Sequence, residues 1–160
     1  LNAYMFNVHA AGGREMMQRL TAEVATEAQR QAIKPPLTLA VTVLTSISQE
    51  DLEKDMFVKD MQIEELVVKW ALMAKESNIS GVVCSPREIK AIREACGPDF
   101  KIVTPGIRPA WASKDDQKRI TTPKEAIKLG ADFIVIGRPI TAASDPIEAA
   151  HKIIAELEEI

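Results

Sequence analysis

The chain has 160 residues, 46% hydrophobic and 27% charged, with a formal net charge of −3. One compact domain spanning residues 1–160 is the natural organisation at this length. The mild acidity gives no electrostatic footprint for nucleic acid or an anionic membrane, no apolar run is long enough to span a bilayer, and no N-terminal segment has the makeup of a secretion signal.

The first apolar run, Tyr4 to His9, reads as a strand and is followed by the turn Ala10-Ala11-Gly12-Gly13. Met16, Met17, Leu20, Val24 and Ala28 then recur at helical spacing until Pro35-Pro36 ends the unit. The second strand is Leu37 to Leu44, and Ile63, Leu66, Val67, Trp70, Ala71 and Ala74 mark the next amphipathic helix. Between them, Asp51, Glu53, Lys54 and Asp55 read as a solvated helix face. The third strand, Gly81 to Cys84, runs into Ser85-Pro86-Arg87-Glu88, a helix-start signal: serine caps, proline suits the first helical position, and glutamate reaches back to the cap. The fourth strand is Lys101 to Thr104. The signal returns as Thr122-Pro123-Lys124-Glu125, Gly130 suits that helix's end, and the fifth strand is Phe133 to Ile136. Asp145-Pro146-Ile147-Glu148 gives the start signal again, ahead of a helix with Ile147, Ala150, Ile154 and Leu157 on one side. Cys84 and Cys96 form no CxxC pair and read as reduced intracellular thiols.

Continuous apolar strands alternating with amphipathic helices predict a parallel sheet buried on both faces. A doubly wound open sheet is the competing architecture, but Ala10-Ala11-Gly12-Gly13 lacks the glycine-rich dinucleotide fingerprint. The fourth and fifth strands both end in turn chemistry plus an arginine, Pro105-Gly106-Ile107-Arg108-Pro109 and Gly137-Arg138-Pro139. In (β/α)8 barrels the loops after the last two strands commonly hold a phosphate. Glycine lets the backbone approach the anion, and arginine adds a forked cation.

The ordered set Phe6-Asn7-Val8-His9-Ala10, Ala40 to Ser46, Gly81 to Ser85, Val103 to Pro109, Asp116-Gln117-Lys118-Arg119 and Val135 to Pro139 resembles bacterial-type orotidine 5′-phosphate decarboxylases along essentially the whole chain. The resemblance implies an α/β fold, an incomplete (β/α)8 TIM barrel whose five βα units correspond to strands four to eight. Position 1 is Leu, and the first three strands are expected to be absent. It also implies a cytoplasmic homodimer that converts orotidine monophosphate to UMP and CO2 with no metal or organic cofactor. The family's Asp-x-Lys-x-x-Asp motif is not found: Thr104 and Thr121 follow Asp99-x-Lys101 and Asp116-x-Lys118 where the second aspartate belongs. No catalytic residue is therefore assigned, and the chain alone is expected to be inactive.

The resemblance puts the phosphate on Arg138, the Gly137 backbone and Gln117, a further ligand contact on Arg108, and the pyrimidine on Thr45, with Pro109 to Gln117 as a lid. Each residue has a plainer reading: Arg138 as a surface ion-pair partner, Gln117 as a solvated loop residue, Arg108 as an organiser of the lid, and Thr45 as a turn cap. His9 ends a strand but receives no proton-transfer role, and His151 reads as structural or exposed. Another ribulose-phosphate-type barrel enzyme, such as a metal-using hexulose-phosphate synthase, is the rival enzyme. A phosphate-binding or assembly module is the non-catalytic alternative, since the open edges of a five-strand sheet tend to pair.

Overall fold

A computed structural model describes residues 3–112 and 121–158. Its five strands are β1 Met5–His9, β2 Leu37–Val41, β3 Gly81–Val83, β4 Lys101–Pro105 and β5 Phe133–Val135. All neighbours pair in parallel, in the order β1-β2-β3-β4-β5. The helices are α1 Gly13–Arg30, α2 Gln49–Lys54, α3 Ile63–Glu76, α4 Ile89–Cys96, α5 Pro123–Leu129, α6 Arg138–Thr141 and α7 Pro146–Glu158. Parallel crossovers are right-handed, so a strand order that never reverses puts every connecting helix on one side of the sheet. The helices accordingly form one layer, α3 against α4, α4 against α5, and α5 against α7. A doubly wound sheet needs a reversal point and is ruled out for this topology.

Register divides the side chains into two faces. Val8, Ala40, Val82 and Ile102 lie in one row that packs on the helices. His9, Val41, Val83, Val103 and Phe133 form a row on the opposite face. The sheet curls around that second face. Tyr4, just ahead of β1, meets Phe133 of β5 edge-on with ring centroids 6.3 Å apart. A flat sheet would hold its first and fifth strands about 19 Å apart, too far for the two rings to touch.

Burial on both faces, expected for every strand, is found only at the centre. β2 is buried from Thr38 to Val41, whereas β1 and β5 are largely half-exposed or exposed, with Val135 at 50%. Among the described residues these two strands are edges, so each has a neighbour on one side only. Four strands are also shorter than expected, β1 and β3 by one residue each, at Tyr4 and Cys84. β2 stops at Val41; the Thr42 N–H completes its pairing with β3 by donating to the Val83 carbonyl, to which Thr42 Oγ1 also donates, and the chain then turns. β5 stops at Val135, and Arg138 opens the short α6 instead of a loop.

Helix starts follow the capping chemistry. Reciprocal boxes form at Ser85/Glu88 and Thr122/Glu125, and the Asp145 carboxylate accepts from the Ile147 and Glu148 N–H groups at 3.0 Å. A further box, Ser48/Asp51, starts α2, whose Leu52 is fully buried. The acidic run thus does lie on a short helix, anchored by its leucine. The apolar stripe of α7 departs from expectation. Ala149 and Ile153 are buried, while Ile147 is 70% and Ile154 51% exposed. The helix packs on α5 and α6, which cover only the first pair.

The end of the sheet where the strands begin is held by Arg93. Its guanidinium donates to the carbonyls of Gly97, Pro98, Phe100 and Gly130 and to the Asp132 carboxylate at 2.7 Å. Asp132 also accepts from Lys101 Nζ at 3.1 Å and the Ile102 N–H at 2.9 Å. Burial works against ionisation of Asp132, but the Ile102 N–H, Arg93 and Lys101 outweigh it and hold the carboxyl below its ordinary value.

A Cβ on Gly81 would lie 2.2 Å from the Lys101 carbonyl oxygen, so Gly81→Ala is expected to lower stability by about 1–3 kcal/mol in urea melts. Asp132 has a depressed folded-state pKa, so its contribution is present above the ordinary carboxyl range and lost as pH falls through it. Thermal melts of Asp132→Asn should therefore lie well below the parent at pH 7 and converge on it toward pH 3.

Candidate functional site

Parallel pairing sends the C-terminal end of every strand to one rim. The register Pro105↔Val135 sets the turn after β4 beside the turn after β5. Gly106 makes the first turn at φ 78, a left-handed conformation that glycine adopts without a Cβ penalty. The fully buried Ile107 anchors the start of the loop, and half-buried Arg108 donates from Nη1 to the Ile107 carbonyl at 3.0 Å. In the second turn Gly137 occupies the N-cap position of α6, and its carbonyl accepts from the Ile140 and Thr141 N–H groups. Among the described residues, a Cβ built on Gly137 meets no heavy atom within 4 Å. The two glycine-arginine turns are thus neighbours on one rim, as the strand endings predicted.

Of the other expected residues, Thr45 and the start of the lid are described. Thr45 is exposed in the turn after β2, and β3 separates β2 from β4. The helix that follows is capped by Ser48. Gln117 lies outside the described residues. The expected lid begins at Pro109 on the same rim. Its two stems are tied by the Arg108 N–H donating to the Thr121 carbonyl at 3.1 Å. Trp111, at the start of the loop, sits under Lys152 of α7, with Nζ 5.9 Å from the ring centroid. His9 is exposed at the rim end of β1, on the concave row, and His151 is exposed on α7.

Beneath the rim lies a polar group that the sequence pattern did not expose. Glu88 is 7% exposed and accepts from the Ser85 N–H at 2.7 Å. Burial pushes its carboxyl up to about 7; the Ser85 N–H opposes this, Glu64 adds to it, and Arg87 opposes it again. The Cys84 thiol is pushed up to about 12 by burial and by Glu88, against smaller contributions from the Thr104 hydroxyl and Arg93. It is therefore a packed thiol and no nucleophile at neutral pH. Thr104 Oγ1 is buried with no sound hydrogen-bond partner, the Cys84 sulfur beside it being a weak one. The SPRE spacing announced Glu88 as a cap, but its burial depends on how α3 and α4 pack. Among the described residues, no three His, Cys, Asp or Glu side chains are grouped to hold a metal ion, and no helix is long and apolar enough to cross a membrane.

Comparison with known proteins gives consistent matches. The model of the "Orotidine 5'-phosphate decarboxylase / HUMPS family" matches residues 1–153. An orotidine 5′-phosphate decarboxylase of Syntrophomonas wolfei is 70% identical over 99% of this chain and 66% of its own length. The Moorella thermoacetica decarboxylase is 52% identical over the whole of this chain and 63% of its own. The crystal structure of the Lactobacillus acidophilus orotidine 5′-phosphate decarboxylase superposes with a TM-score of 0.81 at 40% identity, covering 96% of this chain and 62% of that one. The chain thus spans somewhat less than two thirds of these relatives.

The buried Glu88 carboxyl generates a pH signature opposite in sign to that of Asp132. With a raised folded-state value, its stabilising contribution is complete below the ordinary carboxyl range and is lost as pH rises toward about 7. Glu88→Gln keeps an acceptor for the Ser85 N–H and cannot ionise. The melting temperature of Glu88→Gln relative to the parent should therefore climb between pH 5 and pH 8.

Proposed function

Because the chain belongs to the orotidine 5′-phosphate decarboxylase / HUMPS family, we propose that it is the phosphate- and pyrimidine-holding part of a decarboxylase that converts orotidine monophosphate to UMP and CO2. The observation that carries this reading is the pairing of two glycine-arginine turns on neighbouring strands of one rim. A phosphate dianion suits such a place: the Gly137 backbone leaves room for it, and Arg138 and Arg108 supply charge-assisted hydrogen bonds. Gln117 is assigned to the phosphate from the lid and Thr45 to the pyrimidine.

In this chemistry carbanion character builds at C6 as CO2 leaves, and a preorganised ammonium stabilises the charge and then protonates the carbon. The lysine-aspartate network that does this is assigned to sequence outside the 160 residues, since no Asp-x-Lys-x-x-Asp occurs in them. The present chain supplies remote binding energy. Phosphate held far from C6 fixes the substrate, and closure of the lid about its Arg108–Thr121 neck removes water. The working protein is proposed to be a cytoplasmic homodimer without metal or organic cofactor. The family description also includes HUMPS enzymes, so a sugar-phosphate reaction on the same phosphate site is the second reading. Magnesium-dependent activity of the full-length protein would favour it.

Titration calorimetry with UMP tests the phosphate site. Losing one charge-assisted contact costs about 1.5–3 kcal/mol, so Arg138→Ala should weaken UMP by about 10- to 150-fold. A Cβ at Gly137 meets nothing among the described residues, so Gly137→Ala should lower UMP affinity with little change in the melting temperature. Unchanged affinity in both variants would move the phosphate elsewhere. The 160-residue chain alone should show no decarboxylation, and turnover by it would overturn this division of labour.

A further inference from the structure

The loop after β4 is fastened to a helix of the next βα unit. Past Arg108, the fully buried Pro109 ends the anchored stretch and the chain reverses, the Ala112 N–H donating to the Pro109 carbonyl at 3.0 Å. That turn carries Trp111 onto α7, which follows β5. Lys152 Nζ lies 5.9 Å from the centroid of its ring, within the range of a cation–π contact. Glu148, one turn earlier on α7, holds the ammonium from its other side at 2.7 Å. A glutamate four residues ahead of a lysine is the favourable order on a helix.

The same helix supports the second arginine turn, because α6, whose first residue is Arg138, packs on α7. Arg138 is thus placed by a helix. Arg108 stands in irregular chain between the buried Ile107 and Pro109. Among the described residues its guanidinium makes one hydrogen bond, to the adjacent Ile107 carbonyl. Such a bond ties the group to its own backbone, so the course of that backbone decides where the charge stands. Two contacts fix the course. The Arg108 N–H on the Thr121 carbonyl ties the loop to itself, and Trp111 under Lys152 ties it to the helix that supports Arg138.

We propose that Trp111 and Lys152 are positioning residues for phosphate binding: they brace the Arg108 turn on α7, so that one helix sets the spacing of both arginines. The inference rests on the phosphate reading given above, and neither residue is assigned a contact with the nucleotide. Two cations set to grip one anion repel each other until the anion arrives. A brace that resists this repulsion presents a preformed fork and removes part of the ordering cost of binding. Trp111 is 46% exposed, so the contact is a modest one, about two- to fivefold in affinity. Its exposure also means that removing it opens no cavity in the core, which separates positioning from stability.

The test uses the full-length protein, with hydrogen exchange read in the absence of ligand and UMP affinity read by titration calorimetry. Trp111→Leu and Lys152→Met should each speed exchange at the Arg108 and Ala112 amides by about threefold or more. Each should weaken UMP by about two- to fivefold with the melting temperature unchanged. Lys152→Arg keeps a cation over the ring and should bind UMP as the parent does. In an Arg108→Ala background Trp111→Leu should weaken UMP no further, a result that general loosening of the fold does not produce; an equal loss in both backgrounds overturns the proposal. Unchanged exchange in both variants overturns the brace. Faster exchange with unchanged UMP affinity overturns the positioning role, and the phosphate site stands if Arg138→Ala still weakens UMP. Unchanged affinity in Arg138→Ala as well removes the phosphate site and the positioning role together.

Discussion

Parallel pairing in unbroken order is the constraint on which the rest of this molecule depends. Because β1 to β5 run side by side in the same direction, every helix falls on one face and every strand-to-helix turn falls on one rim. The rim collects turns that are far apart in sequence, so Gly106 and Gly137 become neighbours without any direct bond between them. The same order forces the sheet to curl around its helix-free face. Neither property requires a particular side chain at the rim, which leaves those positions available for chemistry.

The opposite end of the strands carries the fastening. Arg93 gathers four carbonyls and the Asp132 carboxylate there, binding the end of α4, the start of β4 and the approach to β5. Its partners are well matched in charge and geometry, and the pair is only partly buried, so desolvation does not consume the gain. At the rim the balance is reversed. Glu88 is held as a cap in a place that resists its ionisation, and the Thr104 hydroxyl lies buried beside a poor acceptor. Stability is thus concentrated away from the rim, as in barrels whose loops vary while their bases persist.

Much of this was legible in the residues. Apolar strands alternating with capped helices gave the fold class, because serine, threonine or aspartate followed by proline and then an acid announces a helix start through local hydrogen bonds alone. The glycine-arginine turns were legible for the same reason, being local chemistry at strand ends. What escaped depends on neighbours. Val135 is as apolar as Val103, yet only the second has strands on both sides. Ile147 and Ile154 keep helical spacing with Ala150, but the helices that pack on α7 cover Ala149 and Ile153 instead. The burial of Glu88 likewise comes from the packing of two helices, which no spacing rule reports. Thr45 was matched by family likeness, and it lies in the turn after β2, with β3 between that strand and β4.

The Tyr4–Phe133 contact also bears on the order of folding. Each βα unit closes over a short stretch of chain, whereas these two rings join nearly the first described residue to the last strand. Contacts of such separation carry the largest loop-closure cost and slow the steps that await them. Strand pairing can therefore be complete while curvature is not. A flat, fully paired sheet would have native secondary structure yet hold Tyr4 and Phe133 apart. The final bend of the sheet, and not its assembly, is then the event that sets the spacing of the strand ends around the rim.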